Sequence, residues 1–410
     1  MIQRSITPLL QTALAESPVV LLNGARQTGK STLVQWLVEH AHPARYVTLD
    51  DATVLEAITK NPSDFLAGIE KPIAIDEVQR APELFLAIKR EVDKKRTPGR
   101  FLLTGSANVL LLPRLSESLA GRMEILTLWT FSQSELVPSS EIFVDALFSS
   151  SLRSLKTTKE KLPSLMKRIL SGGYPEVQTR TTVDRKHAWF SSYITTILQR
   201  DIRDLAHIEG LTALPRLIAL LAARAGTLLN FAELSNSAAL PQTTLKRYMT
   251  LLQTTYLIHL LPAWSSNLSK RLIKTPKVLL TDTGLMTYLL RANEERLSHD
   301  SLLFGRMMEN FVMMELLKQS SSSKTKPNMF HYRTTSGQEI DLVLETPDGK
   351  VVGVEVKTSS VVRADDVKTL FQFSELLGKR FLRGIVLYTG SEVVPFAKNI
   401  VAMPISALWS

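Results

Sequence analysis

The chain has 410 residues, with 49 Lys and Arg against 39 Asp and Glu, a formal net charge of +10, and no cysteine. A length beyond what one core supports implies about two to four domains, and the missing thiols exclude disulfides and thiolate-held zinc or iron–sulfur sites. No run approaches about 20 consecutive apolar residues, and the first 17 residues lack the apolar core of a signal peptide, so the expectation is a cytoplasmic protein with no membrane partner.

In chain order, the first strong pattern is the apolar run Val19-Val20-Leu21-Leu22, followed by Asn23-Gly24-Ala25-Arg26-Gln27-Thr28-Gly29-Lys30-Ser31-Thr32. Two glycines at phosphate-loop spacing, then Lys-Ser and a helical pattern (Leu33, Val34, Leu37, Val38), predict a strand, a phosphate-binding loop and a helix. Backbone N–H groups of Gly24, Ala25, Arg26, Gln27, Thr28 and Gly29 and the start of the helix are expected to cradle phosphate, with Thr32 beside them. Lys30 is expected to reach the β- and γ-phosphates of ATP, and the Ser31 hydroxyl to ligate Mg2+.

Residues 1–135 alternate strands and helices, predicting an α/β P-loop NTPase domain. Arg45–Asp50 is a short strand. Pro72-Ile73-Ala74-Ile75-Asp76-Glu77 is an apolar run ending in two acids. Asp76 is expected to hold the magnesium and Glu77 to polarise the attacking water. The strand Arg100–Asn108 ends in polar side chains that put Ser106 or Asn108 near the γ-phosphate; a helix N-cap is the competing reading of Ser106. Arg122 precedes another strand, Met123–Leu128, where it is either an arginine finger for a neighbouring subunit, implying a homo-oligomer, or a surface salt bridge.

Together Gly24–Thr32, Ile75-Asp76-Glu77-Val78-Gln79, Leu103-Thr104-Gly105-Ser106 and Ser118-Leu119-Ala120-Gly121-Arg122 resemble the prokaryotic AAA+-like ATPases (AAA_14) that carry a DUF4143 C-terminal region. Gly172-Gly173-Tyr174-Pro175-Glu176, Asp282-Thr283-Gly284-Leu285 and Glu339-Ile340-Asp341 fit the same family, so the resemblance spans nearly the whole chain. Ala25 stands where the family more often has proline, a change expected to alter loop stiffness and not phosphate contacts.

Residues 136–210 are expected to form a linker, with Ser149-Ser150-Ser151 and Lys156–Lys161, and then a helical lid interrupted at Gly172-Gly173-Tyr174-Pro175. Residues 211–292 show three helical patterns and a strand-like Tyr256–Leu261, the order of a winged helix. Its third helix places Thr243, Thr244, Lys246 and Arg247 opposite Leu245, Met249 and Leu252. Residues 151–275 carry 18 Lys and Arg against 7 Asp and Glu, while the remainder has 31 against 32. Such a basic segment suggests DNA as a partner; winged helices also dock proteins, which leaves a nucleotide-dependent switch or adaptor as the alternative.

From residue 293 a C-terminal α/β domain is expected: a helix from Gly305 to Lys318, strands at 329–333, 339–345 and 351–357, a helix at 364–377 and a last strand at 383–388. Asp341, followed by Glu355-Val356-Lys357 on the adjacent strand, resembles the PD-(D/E)xK nuclease core. Alternation points Glu355 and Lys357 to one face. Asp341 and Glu355 are expected to share a second divalent ion, Mg2+ or Mn2+, with Glu309 completing the carboxylate set, Lys357 activating water and Glu339 at the rim. The competing reading is a charged, solvated strand face.

Overall fold

The computed structural model describes residues 2–107, 119–137, 142–150, 152, 157–203, 212–267, 271 and 274–410. The chain divides into two compact units, Met1–Thr130 with Met249–Leu257, and Phe131–Tyr248 with Ile258–Ser410.

The first unit is built on strands β1 (Val19–Asn23), β2 (Arg45–Thr48), β3 (Ile73–Asp76), β4 (Phe101–Gly105) and β5 (Met123–Thr127). They form an all-parallel sheet in the order β2-β3-β4-β1-β5. Every residue of β1, β3 and β4 is buried, as expected for strands covered on both faces, which read as unbroken apolar runs. The period of two sorts them cleanly. Val19, Leu21, Ile73, Ile75, Phe101 and Leu103 pack under the helix Leu84–Lys94, whereas Val20, Leu22, Ala74 and Leu102 meet Leu33, Val34 and Leu37 of the helix Lys30–His40. The crevice at the carboxyl ends of β1 and β3, where open parallel sheets of this kind bind ligands, therefore receives the segment Gly24–Gly29 and the pair Asp76-Glu77.

In the second unit, the helices Leu162–Ser171, Pro175–Gln178 and Val183–Thr196 occupy the predicted lid stretch. The glycine motif between the first two of these helices interlocks with the later one at Asp282–Leu285. Asp282 accepts from the Gly173 N–H at 2.7 Å and caps the helix Thr283–Leu290 through the Leu285 N–H at 3.1 Å. Gly172, at φ 67°, has no room for a Cβ because the Asp282 carboxylate lies against its Cα. Helices Leu214–Ala223, Phe231–Ala238 and Gln242–Thr254 then precede an antiparallel pair, β6 (Ile258–Leu261) and β7 (Lys277–Leu280). On the third of these helices Leu245, Met249 and Leu252 are buried and Lys246 and Arg247 are exposed. Tyr256 sits at φ 57° in the turn before β6, so the strand begins later than its apolar pattern suggests.

The C-terminal sheet has β8 (Asn328–Arg333), β9 (Glu339–Glu345), β10 (Val351–Lys357), β11 (Phe381–Tyr388), β12 (Val394–Ala397) and β13 (Ile400–Pro404), in the order β12-β13-β11-β10-β9-β8. β10 and β11 are parallel and joined by the helix Ala364–Leu377, whose Val367, Leu370 and Phe373 pack on Val343, Val351 and Phe381. β12 and β13 lie beyond the last predicted strand: Pro395 and an exposed pattern mark β12 as an edge, which sequence reading takes for loop.

The predicted linker also differs. The helix Phe143–Phe148 lies inside it, with Phe143, Val144 and Leu147 buried. The Val144 N–H donates to Gln319 on the helix Ser301–Ser322, and Asp145 accepts from the N–H groups of Lys324 and Thr325. Six apolar-rich residues suffice to anchor it, and the Ser- and Lys-rich flanks conceal them. Among the described residues no helix is long and apolar enough to cross a membrane.

Candidate functional site

The loop after β1 is shaped by Gly24 at φ 145°, Gln27 at φ 63° and Gly29 at φ 90°. A Cβ on Gly24 would run into the Leu128 carbonyl, so only glycine lets the loop leave the strand this way. Arg4 braces the loop, donating to the Thr28 carbonyl at 2.8 Å and the Trp129 carbonyl at 2.7 Å. Thr28 in turn donates to Ala25 O. The buried Lys30 ammonium folds back into the loop and donates to Gly24 O at 3.1 Å and Ala25 O at 2.8 Å. No side chain caps the first turn of the helix Lys30–His40. A positive helix end, an ammonium and an uncapped turn fit an anion such as a nucleotide phosphate. Arg26 is half-buried, and Gln27 and Thr32 are exposed at the loop's outer side.

Asp76 ends β3 beside this loop and is buried. Ser31 donates to its Oδ2 at 2.8 Å, Tyr46 donates to the same oxygen at 2.9 Å, and Thr104 donates to Oδ1. Burial and the neighbouring Asp76 carboxylate push the Tyr46 phenol well above its ordinary value, so it stays a donor. A hydroxyl and a carboxylate in contact, both oxygen donors, fit a magnesium ion. Next to it Glu77 is held at φ 61°, its N–H donating to Thr104 at 3.2 Å. Ser106 donates to Glu77 Oε2 at 3.1 Å, and the Gln79 amide donates both to Ser106 at 2.8 Å and to Glu77. The structure therefore brings Lys30, Ser31, Asp76, Glu77 and Ser106 to one end of the sheet. Sequence reasoning missed Arg4, Tyr46 and Gln79; Gln79 alone had a signal, its place in the Ile75–Gln79 motif.

Asn108 lies outside the described residues. Arg122 stands at the start of β5, next to Val19, and so at the end of β1 away from the loop. Its Nε donates to Asp93 at 2.6 Å, which holds that carboxyl below its ordinary value.

A second group of charges lies in the C-terminal part. Asp341 on β9, Glu355 and Lys357 on β10 and Glu309 on the helix Ser301–Ser322 lie within electrostatic reach of one another. Asp341 Oδ2 accepts from the Val356 N–H at 2.8 Å, and Lys357 pairs with Glu355 at 3.4 Å and Asp366 at 3.8 Å. Sequence reading missed the central cation. Lys277, on β7 and only 2% exposed, places its ammonium 2.8 Å from Glu309, 2.6 Å from Glu339 and 3.9 Å from Asp341. Burial alone would lower its pKa, but Glu309, Asp341 and Glu339 override that and hold it above the ordinary lysine value. Burial and the Asp341 carboxylate push Glu309 up to about 7 against the pull of Lys277, and burial raises Glu355 well above the carboxylate range. Among the described residues no three His, Cys, Asp or Glu side chains are disposed to hold a metal. Of the three carboxylates expected to hold a second divalent ion, Glu309 and Asp341 already face the Lys277 ammonium while Glu355 pairs with Lys357, and Glu339, placed at the rim by sequence, is one of the two closest partners of Lys277.

Three family models match the chain: an AAA domain (AAA_14) over residues 16–137, a domain of unknown function (DUF8612) over 162–296, and a domain of unknown function (DUF4143) over 304–408. The uncharacterized proteins Rv2008c of Mycobacterium tuberculosis and Mb2031c of Mycobacterium bovis are each 31% identical to it over 407 residues, covering 98% of this chain and 83% of theirs. Among solved structures, the Thermotoga maritima RuvB Holliday junction branch migration motor covers 62% of this chain and 88% of its own at 17% identity, with a TM-score of 0.28. With its AAA-type P-loop domain, its DUF4143 region and 31% identity to the mycobacterial proteins over nearly its whole length, the chain belongs to their family, that of the AAA_14 ATPases with a DUF4143 C-terminal region.

Proposed function

We propose that the chain is a magnesium-dependent ATP hydrolase that couples turnover to movement on, or remodelling of, DNA. The observation that carries the hydrolase reading is the 2.8 Å contact between Ser31 and Asp76 beside the loop-held Lys30. Magnesium, bound there with ATP, would neutralise charge on the phosphates. The chain's own residues do the rest. Backbone N–H groups of Gly24–Gly29 and Lys30 bind and orient the phosphates, Ser31 and Asp76 hold the ion, and Ser106 and Gln79 fix the carboxylate of Glu77. Glu77 orients the attacking water and takes its proton. Arg122, at the far end of β1, is bonded to Asp93; as an arginine finger it would act on nucleotide held by another copy, and the active form would then be a homo-oligomer.

DNA is the partner this reading assigns to the basic middle of the chain, with Lys246 and Arg247 exposed on the third helix of a winged-helix order. Cleavage is no part of it, since the cluster around Asp341 carries its own cation. The adaptor reading, in which these same domains dock proteins, draws on that closed cluster. ATP hydrolysis measured with and without branched, duplex and single-stranded DNA tests the proposal: stimulation by DNA, with binding that weakens steeply as salt rises, is expected. Turnover indifferent to every DNA, with no salt-sensitive binding, would leave the adaptor.

A further inference from the structure

Lys277 on β7 joins the carboxylates of Glu309, Glu339 and Asp341, and Glu355 on β10 is hydrogen-bonded to Asp341. Like charges gathered in a partly buried site repel strongly unless a cation or protons balance them. Nuclease-like sheets meet that need with a divalent ion. We infer that in this protein Lys277 is the resident cation of the C-terminal cluster, standing where a divalent ion would otherwise sit, so that the domain is metal-independent and binds without cutting. The inference deepens the reading above and concerns only the C-terminal domain.

Three features support the substitution. First, the Lys277 ammonium has three N–H groups, and the carboxylates of Glu309 at 2.8 Å and Glu339 at 2.6 Å take up two of them at ordinary hydrogen-bond length. A magnesium ion needs oxygens at about 2.0–2.1 Å in an octahedron; placed among these oxygens, it would lie within a few ångströms of the ammonium and be repelled by it. Second, Asp341 has one oxygen 3.9 Å from the Lys277 ammonium and the other accepting from the Val356 N–H at 2.8 Å. Third, the turn at Gly226, whose N–H donates to Val278 O beside Lys277, lies against Glu309: a Cβ at Gly226 would touch the Glu309 carboxylate at 3.5 Å. The segment that supplies the lysine thus also covers part of the cluster.

The test is Mn2+ binding by the full chain, without nucleotide and carrying Asp76→Asn to remove the magnesium site of the loop. With Lys277 present, titration calorimetry should show no site up to millimolar Mn2+, and the unfolding midpoint should be the same in Mn2+ and in EDTA. Adding Lys277→Gln should create a Mn2+ site at least tenfold tighter, lost again on Asp341→Asn. A Mn2+ site in the chain that retains Lys277, lost on Asp341→Asn, overturns the inference, as does a folded Lys277→Gln chain that gains no site. Should Lys277→Gln fail to fold, the chain retaining Lys277 decides alone. ATP hydrolysis by the chain with Asp76 intact is read separately, so failure of the hydrolase proposal is distinguishable.

Discussion

The two charge clusters of this chain use the same residue types to opposite ends. At the nucleotide loop, Lys30 donates to the neutral carbonyls of Gly24 and Ala25, and the carboxylate of Asp76 is bonded by the hydroxyls of Ser31, Tyr46 and Thr104. In the C-terminal cluster, Lys277 donates directly to the carboxylates of Glu309 and Glu339. A lysine on carbonyls keeps its charge for an incoming anion, and a carboxylate on hydroxyls keeps its charge for an incoming cation. A lysine on carboxylates has already neutralised both. On the reading proposed above, the first arrangement is a ligand site and the second a structural one, although a sequence motif points to chemistry at each.

The sharpest break between them is expected from removing each lysine in turn. Lys30→Ala should lower ATP hydrolysis by about three orders of magnitude, since the charge that meets the phosphates is gone, while thermal unfolding shifts little. Unchanged turnover would refute the loop assignment. Glu77→Gln should follow, with turnover reduced about 10²- to 10⁴-fold and nucleotide binding retained, as measured by fluorescent-nucleotide titration; loss of binding and turnover together would instead make Glu77 structural.

Lys277→Met should do the reverse. Hydrolysis per folded molecule stays within about twofold, and stability falls by about 1–3 kcal/mol because partly buried carboxylates lose their partner. Urea unfolding measures it; a change under about 1 kcal/mol would mean that the cluster is solvated and the comparison false.

How far each site was legible follows the same division. The loop is contiguous, Gly24 to Thr32, and Asp76 ends, with Glu77 just after it, a strand whose residues are all buried, so local pattern suffices. Strands β8 to β11 were legible for the same reason, as apolar runs with polar ends. Lys277 was not: Glu309, the nearest in sequence of the carboxylates it contacts, is 32 residues away, and Lys277 precedes Val278-Leu279-Leu280 like any charge at a strand end. Tyr46 likewise reads as an ordinary strand aromatic until β2 and β3 align Thr48 with Asp76. Contacts made by sheet register, across elements that sequence treats separately, leave no local mark. The interlocked Gly172 and Asp282 show the converse, motifs that sequence reveals but whose role is packing.

The smallest expected effect probes how dry the region behind Lys277 is. His331 on β8 is 2% exposed, and its Nε2 bonds the Thr275 carbonyl at 3.0 Å. Burial pushes its pKa down to about 4; the Thr275 bond and Glu339 pull it up, and Lys277 and Lys274 push it lower. Because the unfolded imidazole takes its proton near pH 6.5, the unfolded state binds more protons than the folded one between about pH 4 and 6.5. The stability contributed by neutral His331 is therefore complete above about pH 6.5 and declines as pH falls, by up to about 3 kcal/mol at pH 4. Glu309, raised to about 7, works the other way, destabilising as pH rises from the ordinary carboxylate range to 7. The raw stability profile thus mixes opposing slopes, and the difference between the native chain and His331→Gln isolates one of them. Urea unfolding at pH 7, 6 and 5 should give a difference that shrinks as pH falls. Parallel profiles would mean that His331 titrates as in water, and that the Lys277 region is open to the solvent a metal ion would need to reach it.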